Sequence, residues 1–475
     1  MLFASVSFAI FLPLVFFLFW FVFNKNVRWQ NALTLMAGYA FYAWWDWRFL
    51  SLIVISSLTD FLVSRQLGKT NEPLKRKVLL IISLGVNLGL LGFFKYYNFF
   101  IESFADAFSL IGYSINTTTL NIIFPLGISF YTFQTMSYSI DVYRGKIQPT
   151  DNLLAFFSYV SFFPQLLAGP IERASNLLPQ FLKKRVFDYA LARDGLLQIL
   201  WGLFQKVVIA DLLGANVDFL FSNQSHMEFS GPTLLLGAVF FAIQIYGDWA
   251  GYSNIAIGCG KLFGIRLMTN FDMPLFSRDI AEFWRRWHIS LATWVKDYMY
   301  IPLGGNRKGK TRQVINITIV FLVIGLWHGP NWTFVLFGLM HCIFYNVLLL
   351  SNNQKKTGIA AENSILPSLR ELYQIGLTFL CFALSLVMFR ADSVTQAFDY
   401  YSNMFSANWL AIPTNLGYLY IPILFFIIEW VQRKKKHALQ ISALPKWLRW
   451  PVYYGVMFSV LYYFTRENPF IYFQI

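Results

Sequence analysis

Residues 319–350 read IVFLVIGLWHGPNWTFVLFGLMHCIFYNVLLL, and the fold class turns on how that stretch is parsed. Two apolar runs, each near the length of a bilayer crossing, are separated only by His328-Gly329-Pro330-Asn331. Glycine and proline end the first helix before Trp332 begins the second. The break frees main-chain carbonyls and leaves an imidazole at a helix end, in aromatic surroundings. Histidine, with a reference pKa of about 6.5, is the side chain best suited to accept and return a proton at neutral pH. His328 is therefore a candidate general base. On this segment alone, a structural histidine bonding a freed carbonyl explains the pattern equally well.

Apolar runs of the same kind recur from Leu2 to Phe473. Of the 475 residues, 57% are hydrophobic and 13% charged, against about 25% charged in soluble domains. The mean hydropathy is +0.50. A cytosolic globular enzyme, a disordered regulator and a disulfide-built secreted scaffold are all excluded. The chain reads as a single all-α polytopic membrane domain over 1–475, with 11–12 transmembrane helices. Expected crossings are 2–23, 31–45, 48–64, 78–98, 119–141, 189–211, 232–258, 314–329, 331–350, 371–390, 418–432 and 450–465. Pro164 and Gly169 make 153–169 a re-entrant element, and 279–300 reads as a helix at the membrane interface.

The net charge of +14 points to membrane topology and not to nucleic acid. Of the 38 Lys and Arg residues, 32 fall in 24–30, 65–77, 144–188, 259–313, 351–370 and 432–449. Only Arg48, Arg390 and Arg466 fall on the opposite side. Basic loops stay in the cytoplasm, so the expectation is a multi-pass protein of the bacterial inner membrane with its N-terminus outside. Cys259, Cys342 and Cys381 are isolated and form neither a Cys-x-x-Cys pair nor a zinc pattern, so they read as packing residues. No metal site and no bound cofactor are expected.

Among the other histidines, His226 and His437 read as solvated loop residues and His341 as a satisfied core histidine. His288 stands in EFWRRWHISLATWVKDYMYIPLGGNR, the richest polar cluster of the chain. Arg285, Arg286, Lys296 and Arg307 there could pair with an anionic donor, and tryptophans supply stacking surface. An amphipathic helix on anionic lipid accounts for the same composition. Nucleophile-elbow, P-loop, dinucleotide and His-Glu-x-x-His patterns are missing.

Six blocks carry a resemblance. They are FPLGISFYTFQTMSYSIDVYRG at 124–145, FFPQLLAGPIER at 162–173, YGDWAGYSNIAIG at 246–258, FWRRWHISLATWVKDYMYIPLGGNR at 283–307, GLWHGPNWTFVLFG at 325–338, and FIYFQI at the C-terminus. In that order they resemble the membrane-bound O-acyltransferase (MBOAT) family, and within it the bacterial alginate O-acetylation branch. Pro330, where a small residue is expected, and Ile475, where relatives often end in Phe, are small departures.

The resemblance implies a helical bundle with a central tunnel between a cytoplasmic donor and an outer acceptor. It implies His328 as the catalytic histidine and His288 at a second active-site position, which is Asn or His across the family. Arg285, Arg286, Trp287, Trp327 and Asn331 become candidates for substrate or donor binding. The implied reaction passes an acyl group, most simply acetyl, from acetyl-CoA or an acyl-carrier thioester toward O-acetylation of an envelope or exported polysaccharide. An SGNH-type partner protein is a possible immediate acceptor. Two alternatives stay open: D-alanyl transfer of the teichoic-acid type, and a non-enzymatic transporter or flippase.

Overall fold

The computed structural model describes residues 1–115, 117–222, 229–351, 358–406, 408–464 and 468–471. His226, Arg466 and 472–475, the end of the C-terminal block, lie outside them. The described residues form helices and loops with no strand. Seven helices are long and apolar enough to cross a membrane: Val27–Leu67, Pro73–Leu110, Tyr189–Ser222, Gly231–Leu262, Gly309–His328, Trp332–Leu350 and Leu369–Arg390. Val6–Val22 and Leu416–Gln432 are shorter apolar helices. The protein is thus a polytopic all-α membrane protein.

Ten of the twelve expected crossings map onto these helices; 119–141 and 450–465 do not, the latter falling in a further helix, Lys446–Tyr463, that is not among the seven. Segments 31–45 and 48–64 join through a 3-10 turn, Trp47–Phe49, after an extended Asp46. The segment 119–141 shrinks to a buried helix, Ile128–Tyr143. The stretch 279–300 is not one surface helix. It breaks into Ile280–Arg286, Ile289–Val295 and a π turn, Lys296–Tyr300. Phe283, Trp284, Trp287 and His288 are buried, so its aromatic residues build the interior instead of floating on lipid. Part of its charge is met internally, with Glu282 bound to Arg286 and to Arg278 just before the stretch.

Two compact units divide the chain: Met1–Gly195 with Cys259–Met268, and Leu196–Gly258 with Thr269–Ile475. In the first, Asp60 ties three helices together. It accepts from Ser83 on the second helix, from Asn87 at 2.7 Å, and from Ser139 on the third at 2.5 Å. A buried carboxylate at membrane depth is tolerable only with such donors. The 153–169 segment breaks as expected, into Leu153–Val160 and Phe163–Leu166. Gly127, at φ +75°, lets it approach, because a Cβ there would lie 2.7 Å from the Leu166 carbonyl.

In the second unit the Gly309–His328 and Trp332–Leu350 helices form a tight hairpin. A Cβ on Gly325 would lie 2.3 Å from the Phe334 carbonyl, and one on Gly338 2.3 Å from the Phe321 carbonyl. Small residues let helix backbones touch where no water drives them together.

Candidate active site

His328 ends its helix against that hairpin turn. Gly329 follows in extended conformation, and a Cβ on it would meet the Phe334 ring at 2.1 Å. Asn331 restarts the chain as a cap, its Oδ1 accepting from Thr333 N at 3.0 Å. The imidazole is packed among aromatic rings. Its ring centroid lies 5.0 Å from Trp327, 5.1 Å from Phe389 and 5.8 Å from Phe337.

His288 occupies a different kind of break. Its φ and ψ are +43° and +53°, left-handed backbone that few residues other than Gly, Asn and Asp adopt readily. The flanking hydrogen bonds impose it. Trp287 N closes the preceding helix onto the Phe283 carbonyl at 2.7 Å, and Ala292 N opens the next onto the His288 carbonyl at 3.0 Å. Asn270 clamps the following turn, accepting Ile289 N on its carbonyl at 2.8 Å and Ser290 Oγ on Oδ1 at 2.7 Å. Such over-determined strain gathers at functional sites. Burial pushes the His288 pKa down to about 3, so it presents a neutral imidazole.

Two indoles bring the histidines together. Trp249 lies 4.7 Å from His288 and 5.9 Å from His328, and Trp327 lies 5.6 Å and 5.0 Å from them. Sequence reasoning did not single out Trp249. The available signal was its place in YGDWAGYSNIAIG, beside a carboxylate within an apolar run. That carboxylate, Asp248, pairs with Lys206 at 2.7 Å and accepts Ile471 N at 2.6 Å. Lys206 also pairs with Asp211 at 2.8 Å, and the Phe470 ring rests 5.9 Å from Trp249.

Cavities flank the pair. One of about 320 Å³ is walled by Trp284, Ile289, Ile317, Phe321 and Ile324, with Arg285 and Lys296 contributing charge. Ile317, Phe321, Ile324 and His328 fall at helical spacing on one face of their helix, so this wall runs toward His328. Beyond His328, a polar cavity of about 380 Å³ is lined by Asp218, Asn331, Phe334, Phe389 and Arg390. Arg390 and Asp218 pair across it at 2.8 Å.

The sequence model of the membrane-bound O-acyltransferase family matches residues 146–358. The "Probable alginate O-acetylase AlgI" of Pseudomonas aeruginosa is 37% identical over 407 residues, which is 85% of this chain and 74% of that protein. The chain belongs to the membrane-bound O-acyltransferase family. A Helicobacter pylori "Peptidoglycan O-acetyltransferase" is 35% identical over 414 residues, covering 82% of this chain and 76% of its own. A Streptococcus thermophilus "Teichoic acid D-alanyltransferase" matches at 30% over 261 residues, covering 52% and 62%. Membership makes the protein an O-acyltransferase of the alginate O-acetylation branch.

In this acyltransferase the residues singled out from sequence separate into groups. His328, His288 and Trp327 meet. Arg285 lines the apolar cavity. Arg286 does not, since it binds Asp272 at 2.8 Å, Glu282 at 3.2 Å and the Gly358 carbonyl at 2.8 Å. Trp287 packs among Phe271, Phe283 and Phe382 as core. Asn331 lines the polar cavity, with Phe334, Phe389 and Arg390. His341 is the core histidine expected, with Nδ1 3.2 Å from Trp284 Nε1 and Nε2 3.0 Å from Ser385 Oγ. His437, expected in solvent, is buried.

Proposed function

We propose that this O-acyltransferase passes an acetyl group from a thioester, arriving from the cytoplasm, to a hydroxyl of a cell-envelope or exported polysaccharide. The chain would lie in the bacterial inner membrane with its N-terminus outside and all of 1–475 serving that one activity. His328 takes the hydroxyl proton as the oxygen attacks the thioester carbonyl. The carbon–sulfur bond then breaks, and the proton passes to the leaving thiolate, so the reaction leaves the enzyme unchanged. His288, neutral, hydrogen-bonds the donor carbonyl as negative charge develops on its oxygen. Arg285 pairs with donor phosphate, which coenzyme A and a phosphopantetheine arm share. Trp327 shapes the space between the histidines, and Asn331 belongs to the acceptor side.

The observation that carries this reading is the histidine pair bridged by Trp249 and Trp327, with an apolar, cation-edged cavity along the His328 helix and a polar cavity beyond it. Acetyl is favoured over D-alanyl because the O-acetylases align over 85% and 82% of the chain, and the D-alanyltransferase over 52%. The polymer is reached directly or through an SGNH-type partner protein carrying the acyl group.

The test complements a deletion strain with wild type or His328→Ala at matched membrane levels and measures ester-bound acetate on envelope polysaccharide by mass spectrometry. Loss of a general base costs about 10²–10⁴-fold, so the variant should lose measurable acetylation while inserting normally. Wild-type acetylation by His328→Ala would remove the mechanism, and a missing D-alanyl ester would name the other acyl group.

A further inference from the structure

Trp284 forms part of the wall of the apolar cavity, and its indole N–H has one hydrogen-bond partner, His341 Nδ1, at 3.2 Å. An indole N–H can only donate, so Nδ1 must be unprotonated and the imidazole proton sits on Nε2. The other side fits the same tautomer. With Ser385 Oγ donating to the Phe382 carbonyl at 2.7 Å, its lone pairs accept from His341 Nε2 at 3.0 Å. The result is a one-way chain, Trp284 to His341 to Ser385 to a main-chain carbonyl, crossing three helices. His341 and Ser385 have no exposed surface.

A histidine bonded at both nitrogens in an apolar interior gains little net stability over a phenylalanine of similar shape. What it adds is direction. The Trp284 ring stands against Phe321 at 5.3 Å, and His341 reaches Phe337, a neighbour of His328, at 4.6 Å. We propose that His341 is a positioning residue: through the Trp284 hydrogen bond it sets the rotamer of the indole that forms the donor-cavity wall, and so governs donor binding. This deepens the proposed function and rests on its assignment of that cavity to the donor.

The experiment titrates acetyl-phosphopantetheine, the part common to coenzyme A and a carrier arm, against membranes carrying each variant, and reads acetyl ester formed on the endogenous acceptor. His341→Phe should raise the donor KM roughly two- to tenfold, the worth of one hydrogen bond, with kcat within about twofold of wild type. His341→Gln, whose amide accepts from Trp284 and donates to Ser385, should restore it. Trp284→Phe removes the same bond with the histidine intact, so it tests the proposal even where His341→Phe folds poorly. It should match His341→Phe, and the double variant should be no worse than either. Additive effects, an equal fall in kcat across all variants, or a His341→Gln indistinguishable from His341→Phe would overturn the positioning role. The donor-cavity assignment fails separately if Ala292→Phe, which fills the cavity, leaves KM unchanged.

Discussion

At His288 the backbone and the side chain make different demands, and substitutions can separate them. Left-handed backbone costs a residue with a Cβ about 1–2 kcal/mol, and glycine nothing. Glycine in turn gains about 0.4–1 kcal/mol of freedom in the unfolded chain relative to alanine. With φ at +43°, His288→Gly should therefore be more stable than His288→Ala by roughly 0.5–1 kcal/mol, although it deletes more atoms. At an ordinary helical position the order reverses by about the same amount. Activity should follow another order. Asn tolerates left-handed backbone and donates a hydrogen bond, so His288→Asn should keep part of the acetyl transfer. His288→Gly and His288→Ala, lacking any donor, should fall together by about 10²–10³-fold, the cost of one oxyanion donor. The assay pairs thermal inactivation of detergent-solubilised variants with acetyl ester formation at matched protein levels. If alanine proves more stable than glycine, the backbone argument is wrong. If glycine retains activity while folded, the imidazole has no part in the chemistry.

Further outcomes follow from the charges. Arg285→Ala should weaken donor use severalfold with little loss of folded protein, because the side chain lines the cavity. Arg286→Ala should instead lower the yield of folded protein, since it removes the partner of Asp272 and one of the partners of buried Glu282; a donor-specific defect there would reverse the assignment. Burial raises the Glu172 pKa to about 7, while Met268 N and Asn176 Nδ2 donate to its carboxylate. Its folded pKa lies above the unfolded value, so its stabilising contribution is complete below about pH 4.5 and is lost as pH rises through about 7. Glu172→Gln should flatten that part of the stability profile and gain on the order of 2–3 kcal/mol at pH 8, measured as denaturation midpoint against pH; an unchanged profile would mean the carboxylate is ionised throughout.

How much of this was legible depends on the range over which each interaction acts. Hydropathy is additive along the chain, so the long helices and the break at His328-Gly329-Pro330 could be read directly. Segment 279–300 shows where that fails. Its composition is that of a surface helix, but Glu282 neutralises Arg278 and Arg286 from within the same turn of chain, and the aromatic residues then bury. Net charge in a window cannot tell an arginine that lines a cavity from one bound to Asp272 and Glu282, which is why Arg285 and Arg286 looked equivalent. Trp249 escaped notice because a tryptophan in an apolar run is ordinary, and only a contact with His288, far along the chain, distinguishes it.

The sequence by itself determined the class of the molecule: too few charges for water, apolar runs of crossing length, and two tryptophan–histidine pairs in recognisable blocks. These are properties of composition and local order, and they survive without knowing which helix touches which. Tertiary structure alone decided that the two histidines share the same pair of indoles, that His288 is held in left-handed backbone, and that His341 is committed to one tautomer. Each of these depends on contacts between residues far apart in the chain, 39 positions for His288 and Trp327, 20 for the Asn270 clamp and 57 for Trp284 and His341, which no local window contains. Residue identity fixes what a group can donate or accept, but packing chooses its partner.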